Sequence, residues 1–174
     1  MNFPWKSVWR SKAPRRVCFF VWSAAWTKIL TYDNLMWWGY TLTNWCCMCR
    51  CEGESVDHLL ILCHVANVLW HYVFSSFGIL WVLPRSVFDL HDGWWNLLGK
   101  HTSEIWNMVP LCLMWTLWKE RNSRIFEDKE RLACQLLDCF SISLFHWSRA
   151  WGFTSSSSTV DFISSLLLLI ILPM

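Results

Sequence analysis

The sequence predicts an all-α fold, an irregular helical domain followed by a hairpin of two long helices. Val17, Phe20, Val21 and Ala24 fall on one face at helical spacing. Residues 105–118 are apolar almost all round, which is typical of a central buried helix. One more apolar stripe follows at the same spacing, formed by Leu132, Leu136, Phe140, Leu144, Trp147 and Trp151. We expect the last two segments to pack as an antiparallel hairpin, with the stripe as core or partner surface.

Turn and capping residues divide the first part of the chain into short helices. Pro14 suits the first position of a helix that runs to about Ile29, because its missing N–H is not needed there. Thr31 and Asp33 can cap the next short helix, and Gly39 ends it.

Two more helices and a loop are predicted before the long hairpin. Residues 65–77 have helical periodicity, and Gly78 ends that segment. Ser86 is expected to cap a short helix that reaches His91, and residues 93–102 are expected to be loop. The predicted apolar side of the 65–77 helix comprises Val68, Leu69, Tyr72, Val73 and Phe77.

The first helix of the hairpin changes character along its length. Pro110 should kink it or begin it afresh. From residue 119 to residue 131 the sequence becomes charged and mixed in sign, so this part is expected to project into solvent. Glu120 and Arg124 are one helical turn apart and can form an ion pair of at most about 0.5 kcal/mol.

The composition limits the class of protein. The chain of 174 residues is long enough for one domain with a real core. Its hydrophobic fraction is 55%, its charged fraction only 16%, and it has 16 tryptophans. This apolar composition predicts that a partner covers much of the surface, or that the chain is part of a larger protein. Nine cysteines without a signal peptide favour a reducing, intracellular location, nucleus or cytoplasm, and the odd number argues against a full disulfide framework.

One segment, residues 46–63, concentrates metal-binding side chains. It holds five cysteines and one histidine in eighteen positions. Cys46 and Cys49 have the spacing of a metal knuckle, and His58 and Cys63 follow after a short polar connection. Four such donors suit a closed tetrahedral Zn²⁺ site with no open position for water. The spacing therefore predicts a small CCHC zinc knuckle with a structural role.

Helix geometry puts a condition on this site. Ser55 is a plausible N-cap for a helix that presents His58. Positions five apart on an ideal α-helix differ by about 140°, so His58 and Cys63 cannot both face one ion. We expect the helix to end or loosen just before Cys63. Three further donors, Cys47, Cys51 and His64, remain possible replacements, and the alternative is a set of reduced buried thiols without metal.

The same segment resembles a known family. The sequence Glu54-Ser55-Val56-Asp57-His58-Leu59-Leu60, with its flanking cysteines and Leu69-Trp70, is similar to the zinc-binding domain of plant LINE-type (non-LTR) retrotransposon reverse transcriptases. The similarity extends upstream through Lys12-Ala13-Pro14 and downstream to Arg121-Asn122. It implies Cys46, Cys49, His58 and Cys63 as the ligands of a structural Zn²⁺. Trp38 departs from the family, which commonly has a basic residue there.

With the resemblance, three regions are predicted. Residues 1–100 would form the zinc-binding domain, residues 101–153 a helical hairpin packed on it, and residues 154–174 a Ser-rich linker with an apolar tail. The apolar run 166–172 is shorter than the ~20 residues that a membrane span needs. We expect it to form a short, loosely attached helix, and membrane attachment is not favoured.

The N-terminal segment is the candidate nucleic-acid contact. Residues 1–32 contain no acidic side chain, and Trp5 and Trp9 lie among their basic residues. Cations beside aromatic rings can hold phosphates and stack bases. The alternative is a solvated helix start whose tryptophans face the core. The candidate contacts are Lys6, Arg10, Lys12, Arg15 and Arg16.

No catalytic motif accompanies these features. The sequence lacks a polymerase aspartate pair, a P-loop and a Gly-x-Ser-x-Gly elbow. The prediction is a non-catalytic accessory module that binds RNA or DNA, or the neighbouring reverse transcriptase. The alternatives are a scaffold that binds a partner protein through Trp-rich helical faces, and a retroelement relic without function.

Overall fold

The computed structural model describes residues 5–97 and 104–171, and helices are the regular structure of these two stretches. No strand occurs among these residues, so the all-α prediction is confirmed. In chain order the elements are α1 (Trp5–Trp9), α2 (Arg15–Ala25), α3 (Tyr32–Trp37), a π-helical turn (His58–Leu62), α4 (His64–Ser76), α5 (Val87–Leu97), α6 (Glu104–Phe126), α7 (Ala133–Ala150) and α8 (Thr159–Ile171).

Helix α6 is the centre of the packing. It contacts α2, α4, α7 and the π turn, and its first fourteen residues are buried almost throughout. This matches the all-round apolar pattern of residues 105–118. Pro110 lies inside the helix, which continues past it without a break. One buried apolar cluster extends from Val8 in α1 to Leu166 in α8.

The hairpin of α6 and α7 forms as predicted, with the stripe of α7 partly buried. Leu136, Phe140 and Leu144 are buried, whereas Leu132 is 68% exposed and Trp151 is 55% exposed. The buried part of the stripe is therefore shorter than predicted, because Leu132 and Trp151, its two ends, lie outside α7.

The tail docks on the hairpin through α8. Phe162 is buried, and its ring centroid lies 5.5 Å from that of Phe145 in α7. Within the described ranges, no helix is both long enough and apolar enough to cross a bilayer.

Two helix predictions need correction. Helix α2 begins after Pro14 and ends at Ala25, before the predicted end at Ile29. The buried face of α4 includes Ala66 and Trp70, while Val68 and Tyr72 are partly exposed. The apolar face is thus rotated from the predicted one, toward the π turn that α4 packs against.

The predicted loop from residue 93 is also wrong as far as residue 97. Gly93 lies inside α5, which runs to Leu97, and residues 98–102 of that prediction lie outside the described part. The ring of Trp81 packs on the Gly93 backbone so closely that a Cβ there would be 2.9 Å from Cζ2. The glycine permits this close contact and does not end the helix. Ser86 caps α5 as predicted, since its Oγ accepts a hydrogen bond from the Asp89 amide at 3.0 Å.

The charged part of α6 does not project into solvent as predicted, whereas residues 127–130, which follow the helix, are exposed as predicted. Glu120, Arg121 and Ser123 are buried, and the Arg124 side chain is only 7% exposed. The predicted pair of Glu120 with Arg124 does form, at 2.8 Å. Arg121 and Arg124 are buried because they face the segment 46–54, where Glu54 and backbone carbonyls are their partners. Glu120 pairs instead with Arg124 and Arg131.

Candidate metal centre

The first two donors lie on a tight turn. The Cys46 amide donates to the Glu52 carbonyl at 2.8 Å, and the Arg50 amide donates to the Cys46 carbonyl at 2.9 Å. Arg50 closes the turn in the left-handed region, with φ +56°. The chain therefore reverses between residues 46 and 50, which directs Cys46 and Cys49 toward the same point.

The second pair of donors is placed by the π turn. Ser55 Oγ accepts a hydrogen bond from the His58 amide at 3.1 Å and starts this short helical segment. At its end, the Cys63 amide donates to the His58 carbonyl at 2.7 Å, an i→i+5 bond typical of a π-helix. The extra residue in the π turn brings the side chains of residues 58 and 63 to the same side of the helical segment. The expectation that the helix loosens before Cys63 is confirmed.

The widened turn is supported by a buried indole. Trp70 of α4 is fully buried, and its Nε1 donates to the Leu60 carbonyl at 2.9 Å. This supplies a partner to a carbonyl oxygen inside the π turn. The Trp70 indole therefore packs over the π turn that carries His58.

The four predicted ligands converge. One donor atom from each of Cys46, Cys49, His58 and Cys63 lies within 4.8 Å of all the others. The Sγ atoms of Cys46 and Cys63 are 4.0 Å apart, and Cys49 Sγ lies 3.3 Å from His58 Nε2. Thiolates on a tetrahedral Zn²⁺ with 2.3 Å bonds lie about 3.8 Å apart, so these separations fit the ion. The distance between the Cys46 and Cys63 sulfurs is far longer than the ~2.05 Å of a disulfide.

The site is closed on one side and open on the other. Cys46, His58 and Cys63 are buried, whereas Cys49 is half-buried beside a groove of about 610 Å³. Without metal, the hydrogen bond that Cys46 donates to Cys63 lowers the pKa of the Cys63 thiol. The same hydrogen bond and burial raise the pKa of the Cys46 thiol. Zn²⁺ binding would displace the Cys46 proton and give both sulfurs a partner.

A carboxylate orients the histidine. His58 Nδ1 lies 3.2 Å from Glu52 Oε2, while Nε2 faces Cys49. A proton on Nδ1 that is donated to Glu52 leaves the Nε2 lone pair free for a metal. This is the carboxylate–histidine arrangement that commonly supports zinc ligands.

The three spare donors lie outside the four-donor group. The Cys47 thiol donates to the Arg121 carbonyl at 3.9 Å, and the exposed Cys51 thiol donates to the Cys49 carbonyl at 3.1 Å. His64 is exposed at the start of α4. Cys47 is thus directed toward α6 and not toward the other donors.

Sequence reasoning missed the charged residues that hold this segment. Glu54 is buried and accepts hydrogen bonds from the Arg121 guanidinium, the shortest at 2.7 Å. Arg124 donates to the carbonyls of Cys47 and Met48 at 3.2 and 3.1 Å. The available signal was Arg121 and Arg124 three positions apart on a helix, together with the acidic Glu54 beside the donors.

The candidate nucleic-acid contacts divide into two groups. Arg10, Lys12 and Arg15 line a groove of about 590 Å³, in which Lys12 Nζ lies 5.0 Å from the Trp151 ring centroid. Arg16 instead lies over Trp115, 5.9 Å from that ring. Lys6 belongs to α1, but its side chain is outside the described part of the structure. The groove is completed by Trp9, Ser11, Ala13, Pro14, Glu104, Trp147, Ala150 and Trp151.

The comparison with known families agrees with this geometry. Residues 1–70 match the model of the family described as zinc-binding in reverse transcriptase, and all four converging donors fall inside that range. No curated protein and no solved structure matches the chain. The amino-terminal part of the chain is therefore similar to a reverse transcriptase zinc-binding domain, with a Cys₃His cluster arranged as a possible metal site.

Proposed function

We propose that the chain is a structural zinc module from a plant LINE-type reverse transcriptase, with an accessory nucleic-acid-binding role and no catalysis of its own. The observation that carries the proposal is the convergence of Cys46, Cys49, His58 and Cys63 within 4.8 Å. Four protein donors fill a tetrahedral Zn²⁺ and leave no position for a reacting water. A reducing compartment, nucleus or cytoplasm, would keep the thiolates available.

The groove beside α1 supports the nucleic-acid role. It combines three cationic side chains with the indoles of Trp9, Trp147 and Trp151, and Glu104 is the acidic side chain among its lining residues. Trp151 is held in place, because its Nε1 donates to the Lys12 carbonyl at 2.8 Å. Cations can neutralise phosphates while indoles stack on unpaired bases, so a single strand of RNA or DNA fits the groove better than a duplex.

The test is binding of a fluorescent single-stranded oligonucleotide across a range of salt concentrations. We expect weak binding with a steep salt dependence, reduced in the double variant Lys12→Gln/Arg15→Gln. Two lost phosphate contacts should make the log–log salt slope shallower by about 1.4. The matched control is Lys119→Gln/Lys129→Gln, which removes two cations outside the groove lining. Equal salt slopes for the two double variants, or an affinity that does not change with salt concentration, would contradict the proposed role.

A second function is favoured by the end of α3 and the loop that follows it. Trp37 and Trp38 are 83% and 52% exposed, and Tyr40 is also exposed, with no charged side chain between residues 34 and 49. Such an apolar surface suits a protein partner, for example the reverse transcriptase to which this kind of module is attached. In that case association would be insensitive to salt and would weaken in Trp37→Ser.

A further inference from the structure

We infer that Arg124 is a positioning residue of the metal centre, so that the zinc site extends beyond residues 1–70 to the far end of α6. The inference rests on the proposed structural zinc. Its physical basis is that the Arg124 guanidinium holds the Cys46–Cys49 turn by its backbone, while Arg121 on the same helix holds the segment that leads to His58.

The contact with the turn is direct. Arg124 Nη1 donates to the carbonyl oxygens of Cys47 and Met48, the two residues between the first two donors. These carbonyls face α6, and the arginine side chain is almost fully buried beside them. The turn that separates Cys46 from Cys49 is therefore fixed to a helix that starts more than fifty residues later in the sequence.

The guanidinium itself is held in one orientation. Its Nε donates to Glu120 Oε1 at 2.8 Å, and its Nη2 donates to the Arg131 carbonyl at 3.1 Å. Nη1 also lies 3.0 Å from Glu130 Oε1. Burial would raise the pKa of Glu120, but hydrogen bonds from Arg131 and Arg124 outweigh it and keep that pKa below its ordinary value. Arg124 is thus a planar group with fixed donors.

The site has two donor-bearing segments, or arms: the Cys46–Cys49 turn and the segment from Glu54 to His58. The second arm is attached to the same helix. Arg121 Nη2 and Nε donate to the carboxylate of Glu54, which is fully buried. Glu54 precedes Ser55, the residue that starts the helical segment carrying His58. Because Arg121 and Arg124 are one turn apart on α6, the helix fixes the separation of the two arms that supply the donors.

The charges also suit a thiolate site. Three thiolates and one neutral imidazole around Zn²⁺ carry a net charge of about −1. Arg124 places a buried positive group beside the turn, where it also pairs with Glu120 and Glu130. Its hydrogen bonds to the carbonyls of Cys47 and Met48 hold the turn in place. Residues that orient metal ligands in this way typically contribute 10–100-fold to metal affinity.

The test is the zinc affinity of variants, measured by competition with a chelating indicator. We expect Arg124→Gln and Arg124→Lys each to lower the affinity 10–100-fold, since lysine keeps the charge but not the planar set of donors. The matched control is Arg131→Gln, which also removes a guanidinium from Glu120 but makes no hydrogen bond to the turn, and it should change the affinity less than twofold. The Co²⁺ absorption spectrum of Arg124→Gln should also shift, because the thiolates would be less tightly arranged.

The outcomes separate this inference from the proposed function. If the unmodified chain binds no zinc, the proposed function fails. If it binds zinc and Arg124→Gln retains the native affinity and Co²⁺ spectrum, only the inference fails. Should the variant not fold, hydrogen exchange on the unmodified chain decides. We expect chelation of zinc to accelerate exchange of residues 119–126 together with residues 46–63, and unchanged exchange at 119–126 would overturn the inference.

Discussion

The amide nitrogen of Cys63 lies 2.7 Å from the carbonyl oxygen of His58, five residues earlier. In an α-helix that amide would bond to residue 59, and the two side chains would diverge by about 140°. The i→i+5 bond of the π turn removes this divergence and lets imidazole and thiol share one centre. Local backbone geometry that is rare elsewhere is commonly found at functional sites.

The carboxylate beside His58 should contribute to metal affinity. Glu52→Gln weakens the acceptor for the Nδ1 proton, so His58 would be less well oriented. Because the Glu52 side chain is 73% exposed, we expect the low end of the usual range, a loss of about tenfold in zinc affinity. The measurement is indicator competition, with Glu127→Gln as an exposed acidic control. Equal affinities for the two variants would argue against a role for Glu52.

The buried pair of Glu54 and Arg121 should show strong coupling. Removal of one partner leaves a buried charge, and we expect Glu54→Gln or Arg121→Met to destabilise the zinc-loaded chain by about 3–5 kcal/mol. The double variant should cost clearly less than the sum of the single ones. Urea unfolding of the four proteins at saturating zinc tests this. Additive losses would show that the pair does not act as a unit.

His91 should make the chain sensitive to acid. Burial lowers the pKa of this histidine to about 3, whereas an unfolded chain has an ordinary value near 6.5. The unfolded state therefore binds the proton first, and stability that is present above about pH 6.5 is lost as the pH falls toward 3. Between pH 7 and pH 5 the loss from His91 should be about 2 kcal/mol.

The variant His91→Leu isolates this effect. Acid release of zinc acts on both chains, so the difference between native and His91→Leu in urea unfolding at pH 7 and pH 5 reports His91 alone. His146→Gln, at an exposed histidine, is the control and should behave like the native chain. The prediction is contradicted if native and His91→Leu lose the same stability over this interval.

Gly93 should tolerate alanine poorly. In a helix, alanine is more favourable than glycine by up to about 1 kcal/mol. At position 93, however, its Cβ would lie 2.9 Å from Trp81 Cζ2, and such overpacking typically costs about 1–3 kcal/mol. We expect Gly93→Ala to destabilise the native chain and to stabilise Trp81→Leu, in which the ring is absent. Thermal unfolding of the native chain, the two single variants and the double variant measures this change of sign. Destabilisation of equal size in both backgrounds would show that the ring is not the cause.

Local patterns in the sequence predicted the features that depend on local structure. The helical periodicity of residues 17–24 and 105–118 gave α2 and most of α6. The spacing of Cys46, Cys49, His58 and Cys63, together with the family resemblance, gave the four donors that converge. The conflict between helix geometry and that spacing was enough to predict an irregular turn before Cys63.

Features that depend on distant partners were not predictable in this way. The end of α6 carries charges and therefore resembled a solvent-exposed segment, but Arg121 pairs with Glu54, sixty-seven positions earlier. Gly93 resembled a loop residue because the ring that requires it, Trp81, lies outside the helix. A single sequence contains both partners of such contacts but does not show that they meet.

The most direct measurement is the metal content of the purified, folded chain by native mass spectrometry. We predict one zinc per chain, with the metal lost in Cys49→Ser and His58→Ala. Structural zinc contributes on the order of 10 kcal/mol in comparable small sites, so its loss should also reduce the helical circular dichroism signal. A chain that is fully helical and cooperatively folded without bound metal would contradict the central claim.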